Sequence, residues 1–309
     1  MALTLSTLPV PSDWTPQTVF SDPGEHAALF DEIPPVPEAI GPVVRTLLAH
    51  YRAEAEHLPA SSRADVDLRW VAAQLSLDQQ RHPGLPLTAE RAIGDRLQGC
   101  CRDHTLLAVS ILRHHGIPAR SRVGFADYFR EGWHHDHVVA EMFDGQRWRR
   151  FDPEVAPEFG LLPDPLDLAT GPDAPFTTAA EAYLNLRDGS LDPSSYGVAP
   201  DHPLSGADFV LSELFWELAH RYGDELLLWD GWGAIPPPGE SHGEGLLIML
   251  DEIAAQLVAA DAGDMEVERT LYERYRRDPQ LHPGAAVLQF SPTGTEPVLV
   301  PLGDAAGSR

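Results

Sequence analysis

Residues 99–153 read GCCRDHTLLAVSILRHHGIPARSRVGFADYFREGWHHDHVVAEMFDGQRWRRFDP, and the order of features in this stretch decides the fold. Leu106, Leu107, Val109 and Leu112 recur at helical spacing between Cys101 and His114, and Gly116 with Pro118 behind it supplies the stop. Three strands are predicted next: Ala119–Phe125, His137–Phe143 and Arg147–Phe151. Asp144-Gly145 joins the last two and is a strong hairpin signal. A two-residue type I′ turn there sets a register in which Phe143 faces Gln146, Glu141 faces Trp148 and His137 faces Asp152. Directly opposed residues hold their Cβ atoms about 5 Å apart, within reach of a hydrogen bond from imidazole to carboxylate. Asp152 would then fix the tautomer of His137 and stabilise its charged form. Cys101 stands where the helix begins, and the partial positive charge of a helix N-terminus favours a thiolate. A cysteine beside an oriented histidine is the pattern that activates sulfur for attack on a carbonyl. Its own backbone N–H is a natural oxyanion donor, and Gln98 is a weaker second one.

Working outward, three motifs occur in order. Gly99-Cys100-Cys101-Arg102-Asp103-His104 is similar to Gly-x-Cys-Arg-Asp-aromatic. Arg113-His114-His115-Gly116-Ile117-Pro118-Ala119-Arg120 is similar to Arg-x-x-Gly-Ile-Pro-Ala-Arg. His137-Val138-Val139-Ala140-Glu141, then Trp148 and Phe151-Asp152-Pro153, follows His-x-Trp-x-Glu and Trp-x-x-x-Asp-Pro. Together they resemble the transglutaminase-like superfamily over roughly residues 66–160. The resemblance implies an α+β, papain-like core whose nucleophile helix packs on an antiparallel sheet. It implies Cys101 as nucleophile, His137 as base and acid, and Asp152 as the orienting carboxylate. Val139 stands where many members have tryptophan, and His104 where Tyr or Phe is commoner. The implied activity is acyl transfer on an amide or peptide bond through a thioester, with hydrolysis favoured over transamidation. The substrate would be a peptide, a protein or a small amide, and no cofactor is needed. Glu141 and Trp148 share the triad's face in the expected register and are candidate cleft residues.

The rest of the chain frames this core. Residues 1–65 read as a proline-rich, surface-wrapping arm followed by a helix over residues 38–57. Residues 66–160 read as the catalytic core, with a helix over residues 65–77 leading into it. Residues 161–309 read as a mainly helical region with a short terminal hairpin. Its helices are predicted at 177–187, 206–221, 245–260 and 264–276, and its strands at 286–290 and 298–300. The net charge of −25 argues against nucleic acid and anionic membrane as partners. Every basic residue is arginine. Without lysine the chain cannot crosslink its own side chains through glutamine–lysine bonds. No apolar window approaches the roughly 20 residues that span a bilayer. No signal peptide is evident, and two adjacent cysteines fit a reducing cytoplasm.

Other readings compete. The chain could be a catalytically silent peptide-binding platform, though such a platform needs no Cys, His and Asp set. His134, His135 and His137 suggest a metal site, with Asp136 or a cysteine as a candidate further ligand, but the sequence identifies no ligand from elsewhere. Arg120, Arg122, Arg147, Arg149 and Arg150 form a positive island, most simply paired to carboxylates. Trp229 and Trp232, set among glycines, either shape the cleft or close a hydrophobic helix end.

Overall fold

A computed structural model describes residues 3–303 apart from residues 8, 172 and 239, so the ends of the predicted N- and C-terminal regions lie outside the described residues. The elements run α1 (Pro37–Leu47), β1 (Leu48–His50), α2 (Val71–Arg81), β2 (Leu97–Gly99), α3 (Cys101–His114), β3 (Ala119–Arg130), β4 (Trp133–Phe143), β5 (Trp148–Phe151), β6 (Phe176–Thr178), α4 (Ala179–Asp188), β7 (Tyr196–Gly197), α5 (Ala207–Arg221), β8 (Asp230–Gly231), α6 (Glu244–Asp261), α7 (Met265–Arg277), β9 (Ala286–Gln289) and β10 (Val298–Pro301). The architecture is α+β. Its central sheet is antiparallel in the order β5-β4-β3-β6, with β7 added parallel to the start of β4.

The helix α3 spans the predicted residues, and every residue of it except His114 is buried. Its Leu106, Leu107, Val109 and Leu112 share one core with Val123, Val138 and Ala140 of the sheet, Ile40 and Val44 of α1, and Leu214 and Phe215 of α5. Each such side chain contributes about 1.5–3 kcal/mol of burial free energy. The helices beyond residue 176 begin and end within two residues of their predicted bounds, and β9 and β10 form the predicted hairpin.

Four expectations are corrected. The helix predicted over 38–57 stops at Leu47, because Leu48–His50 pair in parallel with Leu97–Gly99. The helix predicted over 65–77 starts at Val71, and the residues before it form a 3-10 helix, Ala60–Asp67. The arm does not merely wrap the surface: Trp14, Phe20, Phe30 and Ile33 are buried, and the Trp14 indole N–H donates to the Arg221 carbonyl at 2.8 Å. The hairpin register is offset by two residues. Phe143 pairs with Trp148 and Glu141 with Arg150. The reason is the Asp144 side chain, whose Oδ1 accepts from the Gln146 and Arg147 N–H groups at 2.8 and 2.9 Å. Asp144 N–H closes on the Arg147 carbonyl, giving a four-residue loop with Gly145 at φ +98°.

Candidate active site

The turn into α3 is fixed from several sides. Asp103 reaches back so that its Oδ2 accepts the Cys100 N–H at 2.8 Å, satisfying a donor that the helix start leaves free. Its Oδ1 accepts from Gln74 at 3.0 Å and from Arg102 at 2.9 Å. A Cβ on residue 99 would sit 2.9 Å from the Asp103 Cβ, which explains the glycine there. The Arg102 guanidinium is buried and donates to the carbonyls of Arg69 and Glu225. Together these contacts place Cys101 as the first residue of α3, where its N–H has no intrahelical acceptor. One turn on, the Thr105 hydroxyl donates to the Val138 carbonyl at 2.8 Å, tying the start of α3 to β4 beside His137.

His137 Nε2–H donates to Asp152 Oδ2 at 2.8 Å. Extending the observed register sets Asp152 opposite Val139, so His137 and Asp152 are diagonal neighbours on one face, still within side-chain reach. Asp152 also accepts from the Tyr128 hydroxyl at 2.6 Å and, through Oδ1, from the Glu154 N–H at 2.9 Å. With Nε2 carrying the proton, Nδ1 is the ring's lone-pair nitrogen. The Phe129 ring packs edge-on against the imidazole with centroids 4.9 Å apart.

Cys101 and His137 line one cavity of about 560 Å³, together with Asp136, Glu154, His50, Tyr51, Arg52 and Trp229. Among the described residues no hydrogen bond joins the Cys101 thiol to His137. The electrostatics differ from the sequence expectation at the sulfur. The hydrogen-bonded Cys100 thiol, then burial and the Glu154 and Asp136 carboxylates, hold the Cys101 thiol well above the usual thiol range. Burial works against a charged imidazole at His137, but the Asp152 carboxylate, joined by Glu154 and Asp136, outweighs it and raises the ring's pKa above its ordinary value. Burial would raise Asp152, yet His137 and the hydrogen bonds lower it. Asp136, next to His137, is pushed up to about 6, chiefly by burial.

The other predicted residues lie elsewhere. The Gln98 side-chain N–H groups donate to the Pro59 carbonyl and the Ser62 hydroxyl, both at 2.8 Å, so its amide is committed outside this cavity. Glu141 binds Arg120, Arg122 and Arg150 in a buried cluster that Glu217 and Asp261 complete. Trp148 packs under Arg120, its ring centroid 4.1 Å from the guanidinium carbon, and meets Trp14 edge-on. Neither Glu141 nor Trp148 lines the cavity; the two-residue offset and the arginines hold them in this cluster. Arg147 pairs with Asp167 and Arg149 lies near it, so the positive island is neutralised by carboxylates. The three histidines point to different partners: His134 stacks on Tyr196, His135 approaches the Val198 carbonyl, and His137 takes Asp152. Trp229 does line the cavity, whereas Trp232 is buried with its N–H on the Leu281 carbonyl. Sequence reasoning missed Tyr128, Phe129 and Glu154, and weighed Asp136 only as a metal ligand. Only Asp136, beside the candidate histidine, and Glu154, just past Asp-Pro, carry a local signal.

Residues 51–153, about a third of the chain, match the model of the transglutaminase-like superfamily. Neither a curated protein nor a solved structure matches the chain.

Proposed function

We propose that the transglutaminase-like core at residues 51–153 is a working cysteine acyl-transfer centre that cleaves an amide or peptide bond. The observation that carries this is the shared cavity of Cys101 and His137, with Asp152 bonded to the far nitrogen of the ring. A nucleophile at a helix start packed on the sheet that supplies base and carboxylate also supports the papain-like arrangement. The resting thiol is protonated, so the reaction begins with proton transfer. His137 Nδ1 takes the thiol proton as Sγ attacks the carbonyl carbon. The Cys101 N–H, free at the first turn of α3, receives the developing oxyanion. Asp152 balances the imidazolium. His137 then gives its proton to the departing amine nitrogen, the C–N bond breaks, and a thioester remains on Cys101. Water, deprotonated by His137, attacks this thioester and releases the acid and the thiol. Hydrolysis is favoured over transfer to an amine because the cavity meets solvent beside the exposed Arg52 and Ala53.

The test is acetyl transfer from p-nitrophenyl acetate, followed by stopped-flow absorbance and mass spectrometry. One acetyl group on Cys101 with a burst of nitrophenol, lost in Cys101→Ala and sharply slowed in His137→Ala, is the expected result. A burst of full amplitude in Cys101→Ala would overturn the assignment.

A further inference from the structure

The chain carries −25, and its arginines are almost all consumed by carboxylates or carbonyls. Among the described residues three guanidinium groups make neither a hydrogen bond nor an ion pair: Arg52, Arg63 and Arg130. Two of these, Arg52 and Arg63, line the same pocket of about 540 Å³. That pocket shares Tyr51, Arg52 and Pro292 with the cavity holding Cys101 and His137, so the two spaces abut along one wall. The carboxylates on the segments flanking these two arginines are engaged elsewhere. Asp65 binds Arg81, Asp67 accepts from Trp229 and Ser291, Glu54 accepts the His50 N–H, and Glu56 lies 3.2 Å from His57.

The pocket is also built onto the nucleophile. Gln98 lies in its wall, and the same two hydrogen bonds donated by its side-chain amide that take it out of the Cys101 cavity pin the Pro59–Ser62 segment to β2. Asp65 accepts the Gln98 N–H at 3.3 Å, holding the other side of the Arg63 turn. Arg63 is thereby fixed to a strand that ends two residues before Cys101. Thr293 completes the lining with a hydroxyl.

We infer that this pocket is a carboxylate subsite, in which Arg52 and Arg63 hold an acidic group of a peptide substrate while its amide lies at Cys101. Guanidinium groups match carboxylates with paired N–H donors. In a molecule whose overall field repels anions, two arginines without a direct carboxylate partner make a local exception beside the cavity, although Asp136 feels the charge of Arg52. Asp136 and Glu154 line the cavity with Cys101, and Arg52 borders both spaces, so a negative group is favoured on the Arg63 side of Arg52, away from these carboxylates. The inference rests on the acyl-transfer reading for its substrate class. The carboxylate can come from an Asp or Glu side chain or from a peptide C-terminus.

Calorimetric titration of Cys101→Ala protein with three peptides separates these. The probes are acetyl-Ala-Glu-Gln-Glu-Ala-amide, acetyl-Ala-Gln-Gln-Gln-Ala-amide, and the latter sequence with a free C-terminal carboxylate. One or both carboxylate peptides should bind about tenfold more tightly than the neutral one, with the preference fading as salt rises. The one that does so identifies the source. Arg52→Gln/Arg63→Gln should abolish the preference, and Arg52→Lys/Arg63→Lys should keep part of it. Both arginines are exposed, and an unchanged melting temperature shows that the fold is intact. Equal affinity for all three peptides, no binding by any of them, or a preference that survives Arg52→Gln/Arg63→Gln would overturn the subsite. The acetyl burst in the parent protein is read separately. A missing burst with an intact preference fails the acyl-transfer reading alone, and the reverse fails only the subsite.

Discussion

Asp152→Asn isolates the part of the site that the structure defines best. The carboxylate accepts three hydrogen bonds, from His137, Tyr128 and the Glu154 N–H, two of them on Oδ2. An amide can keep the shape but not the donor pattern. If Nδ2 takes the Oδ2 place, it faces a ring N–H and a phenol O–H. The imidazole escapes the clash by moving its proton to Nδ1, the nitrogen that must accept the thiol proton. If the amide turns over, Nδ2 meets the Glu154 N–H instead. A frustrated buried donor costs about 1–3 kcal/mol, and a lost hydrogen bond to a charged group about 1.5–3 kcal/mol. Together they slow acyl transfer by roughly two to four orders of magnitude. The burst assay reads this directly, with circular dichroism and thermal melting as controls for folding. The pH profile gives a second signature. Burial, no longer opposed by the carboxylate, pulls the His137 pKa down, so residual activity persists to lower pH than in the parent. A folded Asp152→Asn protein with a burst near the parent rate and an unmoved acid limb would refute the role given to Asp152.

Glu154→Gln or Asp136→Asn removes a negative charge that raises the Cys101 thiol, so iodoacetamide labelling of Cys101 should begin at lower pH and run several-fold faster at neutrality. An unchanged profile in both would show that these carboxylates do not act on the sulfur. Glu213, on α5, is fully buried with both carboxylate oxygens unpartnered among the described residues, and burial holds its pKa well above the ordinary value. A group raised in the folded state contributes stability that is complete below its unfolded pKa and is lost as pH rises through the folded one. Glu213→Leu should therefore gain about 1–3 kcal/mol at neutral pH and flatten the fall in stability from acid to neutral pH, measured by urea unfolding. A loss of stability at neutral pH would mean that the carboxylate has a partner.

The sequence exposes what local rules govern. The α3 helix follows from spacing and a stop signal, and its start follows from Asp103 three residues after Cys100. The contact between His137 and Asp152 is legible even though the register used to reach it is two residues off. Both registers keep the two residues on one face, because side chains alternate with period two, and only direct opposition becomes a diagonal. Asp144 acting as a backbone mimic is invisible to a rule keyed on the dipeptide. Glu141 illustrates a different failure. The strand pattern gives its face, but not that Arg120, Arg122 and Arg150 converge on it, nor that the carboxylates completing the cluster, Glu217 and Asp261, come from α5 and α6, many residues away in sequence. The thiol's electrostatics are only partly local. The helix start and the Cys100 thiol are visible beside Cys101, whereas burial and the carboxylates at 136 and 154 belong to the assembled cavity.

The arginine cluster around Glu141 bears on whether the family-matched third can be cut out as a minimal fragment. Within residues 51–153, Arg120, Arg122 and Arg150 meet only Glu141, while Asp261 and Glu217 come from helices beyond it. Excision would leave three guanidinium groups facing a single carboxylate, with the helices that shield them gone. The like charges then repel one another across one sheet face, and the apolar surface that α5 and α6 cover is bared to water. The boundary of sequence similarity is therefore not a boundary of independent folding, and truncation experiments must retain α5 and α6.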